Sequence, residues 1–171
     1  MKEVNTTYLI TDFNNLAAHK WQIVNDDVMG GISQSQLQIQ ENGNAVFLGT
    51  VSLENNGGFA SVKNRNSLNL EGYSVIQLQV KGDGNRYSFR FRTGSNGAFH
   101  DWVYEQRFET KRDEWQTVEL PLLNFRATYR GQKLADAPEP DLSSIREYGF
   151  LISDQQEGDF RLEIKEIKAL I

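Results

Sequence analysis

In Arg86-Tyr87-Ser88-Phe89-Arg90-Phe91-Arg92-Thr93, a strand's period of two places Arg86, Ser88, Arg90 and Arg92 on one face and Tyr87, Phe89 and Phe91 on the other. The aromatic face belongs in a core. The guanidinium groups opposite it offer planar, bidentate donors to carboxylates and other anions. Such a row is either a solvated face answered by acids on neighbouring strands or a binding surface. In the strand that follows, Trp102, Tyr104, Gln106 and Phe108 share one face, while Asp101, Val103, Glu105 and Arg107 share the other. Glu105 is the expected cross-strand partner of the arginines, and Trp102 and Tyr104 are the expected aromatic contributors to a binding surface, with Tyr129 as a further stacking candidate.

Other reactive residue types point to structure more than to catalysis. In Trp21-Gln22-Ile23-Val24-Asn25-Asp26-Asp27-Val28-Met29-Gly30-Gly31-Ile32-Ser33, the two acids are adjacent, so they diverge rather than converge as an acid/base pair must. An acid before a glycine pair accepts N–H groups in a tight turn, and the glycines permit positive φ or close packing. Trp21 and Met29 are expected core plugs. Gly57-Gly58-Phe59 repeats the pattern, with Phe59 expected to pack inward and the glycines to let another loop approach. His19 and His100 lack a second donor at ligand spacing and are expected at the surface. For calcium the candidate oxygen donors are Asp12, Asp159 and Glu163, although Lys165 beside them opposes a cation. There is no nucleophile elbow, acid pair or phosphate loop, so no cofactor is expected.

The 171 residues carry a formal net charge of −5 and no cysteine. That excludes disulfide scaffolds and thiolate chemistry, and it disfavours nucleic acid as a partner. No run approaches the ~20 apolar residues of a membrane span, and the first residues do not read as a signal peptide. The expectation is a cytoplasmic protein without membrane insertion. Alternating patterns predict strands over Ser35 to Gln40, Ala45 to Leu53, Val75 to Lys81, Arg86 to Thr93, Trp102 to Phe108, Gln116 to Pro121, Tyr148 to Ser153 and Phe160 to Ala169. Turns are predicted at 41–44, 94–97 and 157–159, with Gly82-Asp83-Gly84 as a hairpin turn. Leu122 to Leu142, with Pro138 and Pro140 inside it, reads as a long connection holding at most a short helix. The whole is expected to be one domain, residues 1–171, an all-β jelly-roll sandwich of two antiparallel sheets.

The ordered set of Trp21, Val24 to Ser33, Phe47-Leu48-Gly49, Asn56 to Ser61, Gly82-Asp83-Gly84, Trp115 to Val118, Glu119-Leu120-Pro121, Gly149 to Asp154 and Gly158-Asp159-Phe160 resembles the complex I intermediate-associated protein family. The resemblance implies a galactose-binding-like sandwich, similar to carbohydrate-binding modules, without catalysis. It also implies a protein partner, such as respiratory-complex subunits or an assembly intermediate. The alternative is a carbohydrate-binding module recognising a sugar on the concave sheet face.

Overall fold

The computed structural model describes residues 6–13, 21–94, 102–129 and 132–171. The strands are β1 (Thr7–Thr11), β2 (Trp21–Asn25), β3 (Gln34–Ile39), β4 (Ala45–Val51), β5 (Ala60–Asn64), β6 (Val75–Lys81) and β7 (Arg86–Thr93). They continue with β8 (Val103–Glu109), β9 (Trp115–Pro121), β10 (Arg126–Tyr129), β11 (Gln132–Lys133), β12 (Ile145–Ile152) and β13 (Gly158–Leu170). One sheet runs β3-β4-β13-β6-β9, with β1 also on β13; the other runs β11-β10-β8-β7-β12-β5-β2. All of these ladders are antiparallel. The only helical segments among the described residues are short 3-10 turns. None is long and apolar enough to cross a bilayer.

Alternation explains the layers. Phe47, Leu78, Phe160, Leu162 and Ile164 point from the first sheet into the core, and Tyr87, Phe89, Phe91, Tyr148 and Phe150 meet them from the second. Tyr87 and Phe160 join the two layers edge to face at 6.5 Å. A bulge at Lys165 restores inward phase for Ile167 and Ala169, so β13 stays in register with β6 to Leu170. At its far end β13 takes β1, where Ile171 N donates to Thr6 O at 3.1 Å.

Several expectations need correction. The segment around Gly82-Asp83-Gly84 is not a hairpin turn, because β6 and β7 lie in different sheets and the chain crosses between layers there. Gly158 begins β13 rather than sitting in a turn. The connection from Leu122 to Leu142 carries β10 and β11, and Leu122, Phe125 and Ala127 anchor it in the core. The turn expected at 94–97 and both histidines fall wholly or partly outside the described residues.

Candidate functional site

Two polar constellations stand out from this frame. The first is built on Asp26, 1% exposed in the 3-10 turn that follows β2. Its Oδ1 accepts Ser33 N at 2.9 Å, and its Oδ2 accepts the Ser33 hydroxyl, Gly58 N at 2.7 Å and Phe59 N at 3.3 Å. Both glycine runs close on this carboxylate. A Cβ at Gly31 would lie 2.4 Å from Asp26 Cγ, and one at Gly57 would lie 2.6 Å from Oδ2. Gly30 and Gly58 adopt φ of +90° and +132°, which suits glycine alone. Ser33 Oγ in turn accepts Ser52 N at 2.9 Å, and Asn25 Oδ1 accepts the Ser35 hydroxyl at 2.6 Å. Asp26 and Asn25 follow or end β2 in one sheet, while Ser33, Ser35 and Ser52 flank or lie in β3 and β4 of the other, so the node staples the layers together. Burial pushes the Asp26 carboxyl up, but the hydrogen bonds from Ser33, Gly58 and Phe59 outweigh it and hold the group below the ordinary carboxylate range. Asp27 is exposed, so the adjacent acids do diverge.

Trp21 stacks on Phe13 at 5.5 Å and meets Tyr148 edge-on at 5.7 Å at the core's margin. Phe59 is half-buried rather than a core residue, since its backbone rather than its ring closes the node. The Met29 side chain lies outside what is described.

The second constellation occupies the outer face of the β8-β7-β12-β5 region. Register places Glu105, Arg90, Gly149 and Lys63 in one row across the four strands. The next row brings Arg92 beside Glu147. Glu147 is nearly buried, with Arg92 Nη1 3.3 Å from Oε1 and Lys63 Nζ and Arg65 Nε 3.4 and 3.7 Å from Oε2. Glu105, directly opposite Arg90, spends its oxygens on the hydroxyls of Ser88 at 2.8 Å and Thr128 at 3.4 Å. Four cations therefore surround two carboxylates. Lys63, Arg90, Arg92, Val103, Glu147 and Gly149 line a shallow hollow of about 30 Å³. Burial lowers the Arg90 pKa while Glu105 raises it, and burial likewise lowers that of Lys63 against the pull of Glu147.

The structure thus brings Arg90 and Arg92 together and leaves Arg86 out. Arg86 is exposed at the start of β7, about 13 Å along the strand from Arg90, with its backbone clasped by the Gln156 amide at 2.7 and 2.8 Å. Tyr104 is corrected from surface to core: it is 2% exposed, stacks on Phe91 at 5.6 Å and donates its hydroxyl to Pro138 O at 2.7 Å. Trp102, in phase with it, packs half-buried against the same core. The inward face that put these rings beside Phe108 is the reason neither stands on the outer surface. The calcium candidates do not converge. Asp159 accepts Thr50 Oγ1 at 2.7 Å, Glu163 accepts Asn44 Nδ2 at 3.1 Å and pairs with Arg161 at 3.4 Å, and no group of three or more potential metal ligands occurs among the described residues. Lys63, Arg65 and Glu147 were missed from sequence, and Gly149 entered only through the family resemblance. The signal for Glu147 was a lone acid one residue before the strand predicted from Tyr148.

Two antiparallel sheets packed face to face, with a polar staple and a charged outer face, make the fold a β-sandwich. A family 11 carbohydrate-binding module from Clostridium thermocellum, solved with a β-1,3-1,4-mixed-linked tetrasaccharide, matches with a TM-score of 0.73 at 17% identity, over 98% of this chain and 97% of its own. An agarase matches with a TM-score of 0.65 at 9% identity, over 98% of this chain and 25% of its own. At such identities the likeness concerns the fold alone. The family comes from sequence: the model for complex I intermediate-associated protein 30 matches residues 11–164, and the chain belongs to that family. An uncharacterized protein of Schizosaccharomyces pombe is 31% identical, covering 88% of this chain and 77% of its own length. The mitochondrial complex I intermediate-associated protein 30 of Mus musculus is 26% identical, and a probable counterpart in Caenorhabditis elegans is 28% identical. The chain spans about half the length of these two, 50% and 49%, while they cover 85% and 86% of it. Both are named as mitochondrial, which overturns the cytoplasmic placement expected from the sequence.

Proposed function

We propose that residues 1–171 form a non-catalytic binding module that holds a protein partner during assembly of a larger complex, with respiratory-complex subunits as the first candidates. Membership of the complex I intermediate-associated protein 30 family supports the class of role. The observation that carries the surface is the cationic island of Lys63, Arg65, Arg90 and Arg92 on an otherwise acidic chain. Arginine clusters at a rigid sheet face suit protein interfaces. Arg86 serves as a peripheral contact, and Trp102 and Tyr104 support the face from beneath. The test is affinity capture from the native host, with wild type compared to an Arg90→Glu, Arg92→Glu variant shown to be folded. Loss of specific respiratory subunits in the variant supports the reading, and an unchanged partner set overturns it.

Carbohydrate binding on the same face is the second reading, favoured by the likeness of fold to sugar-binding modules. Burial of Tyr104 weighs against it, because ring stacking needs an exposed aromatic platform, and of the expected stacking rings Tyr129 at the end of β10 is the exposed one, at 41%. A glycan array with no hits would remove it.

A further inference from the structure

The charges on the outer sheet face do not close on themselves. Glu147 is saturated, with Lys63, Arg65 and Arg92 all within 3.7 Å of its two oxygens. Glu105 faces Arg90 across the β7–β8 ladder, yet its oxygens take the Ser88 and Thr128 hydroxyls, and no nitrogen of Arg90 comes within ion-pair distance of a carboxylate among the described residues. A half-buried guanidinium normally secures a bidentate acceptor. Here it borders an open hollow instead.

The hollow exists because of Gly149. Its neighbour across the ladder is Lys63, and a Cβ at Gly149 would lie 2.0 Å from Val62 O, so the strands approach too closely for any side chain. In the row of Glu105, Arg90, Gly149 and Lys63, the glycine is therefore a gap flanked by two cations. A volume of about 30 Å³ has room for roughly two water molecules, which is the scale of one carboxylate and far below that of a sugar ring. Two cations at the rim, a third at Arg92 and Val103 beside them make a seat for a compact anion with an aliphatic stem.

We infer that this hollow is a carboxylate-recognition site, and that its occupant is an acidic segment of a protein partner whose Asp or Glu side chain pairs with Arg90 over Gly149. This rests on the binding-module reading and gives its partner a chemistry. A peptide is the better-fitting source than a uronic-acid sugar because the two aromatic rings that line the hollow, Phe91 and Tyr148, are 1% and 2% exposed, with Phe91 stacked on Tyr104 and Tyr148 on Phe89, and offer no face to a pyranose.

The test titrates the full chain with hexaglutamate, and separately with trigalacturonate, while NMR follows the Arg90 Nε–H and the amides of Lys63 and Gly149. Arg90→Gln removes the charge at the hollow. Arg107→Gln is the control, since Arg107 pairs with Asp154 at 3.1 Å, outside the hollow. The expected result is saturable shifts at the hollow with hexaglutamate, weakened about tenfold by Arg90→Gln and less than about twofold by Arg107→Gln. No shift at the hollow, equal weakening by both variants, or binding of trigalacturonate in preference to hexaglutamate overturns the inference. Failure here leaves the partner-capture result standing, while an unchanged partner set with intact hexaglutamate binding defeats the assembly reading and its protein occupant and leaves only the carboxylate chemistry of the hollow.

Discussion

Asp26 shows how one residue can hold a fold through neutral donors. Four neutral donors converge on its carboxylate, and an amide in its place would set a donor either against Ser33 N or against the Ser33 hydroxyl, Gly58 N and Phe59 N. Asp26→Asn is therefore expected to destabilise the protein by about 2–3 kcal/mol, the scale of buried unsatisfied donors, read from the urea midpoint. The pH dependence follows from the sign of the shift. The folded carboxyl titrates below its unfolded value of about 3.9, so its contribution is present above that value and fades as pH falls through the lower folded one. The gap in stability between wild type and Asp26→Asn should accordingly narrow as pH is lowered from about 6 to 3. A gap independent of pH would mean the hydrogen bonds act through shape alone.

At the level of elements, the glycines in strands decide how closely backbones approach. Gly49 on β4 and Gly149 on β12 both sit where a Cβ would lie 2.0 Å from a neighbouring strand's carbonyl oxygen. Replacing either by alanine should cost about 2 kcal/mol or more, because a strand must shift. Gly72→Ala, at φ +88° with open space around it, should cost only about 1–2 kcal/mol of left-handed strain; thermal unfolding of the three variants checks the order. The same geometry explains what the sequence disclosed. β7 was legible because Tyr87, Phe89 and Phe91 alternate with polar Ser88, Arg90 and Arg92, and β6 because Ile76, Leu78 and Val80 alternate with Gln77, Gln79 and Lys81. β5 was not, since Ala60, Val62 and the inward Asn64 make a weak pattern that β2 and β12 stabilise from both sides. The two glycine runs were recognisable as turns built for close approach, but the hollow was invisible: its residues come from β5, β7, β8 and β12, which meet only through long-range pairing. Tyr104 was placed on the right face of its strand and the wrong side of the sheet's function.

At the scale of the molecule, the two sheets share a core and are stapled through Asp26, and Asp83 adds a second tie by accepting Tyr87 OH at 3.0 Å and Arg161 N at 2.7 Å. Urea unfolding followed in single-tryptophan variants retaining Trp21 on one sheet or Trp115 on the other should give coincident transitions. Separate midpoints would show layers that melt apart. The hydrogen bond between Thr6 and Ile171, beside the β1–β13 ladder, has a topological consequence. It makes the chain's path almost a closed ring. A circular permutant, with a short glycine-serine linker replacing residues 1–5 to join Thr6 to Ile171 and new termini opened in the 41–43 turn, would keep each strand ladder and the order of strands in space. Only the order of synthesis would change, so β4 would be made first and β3 last.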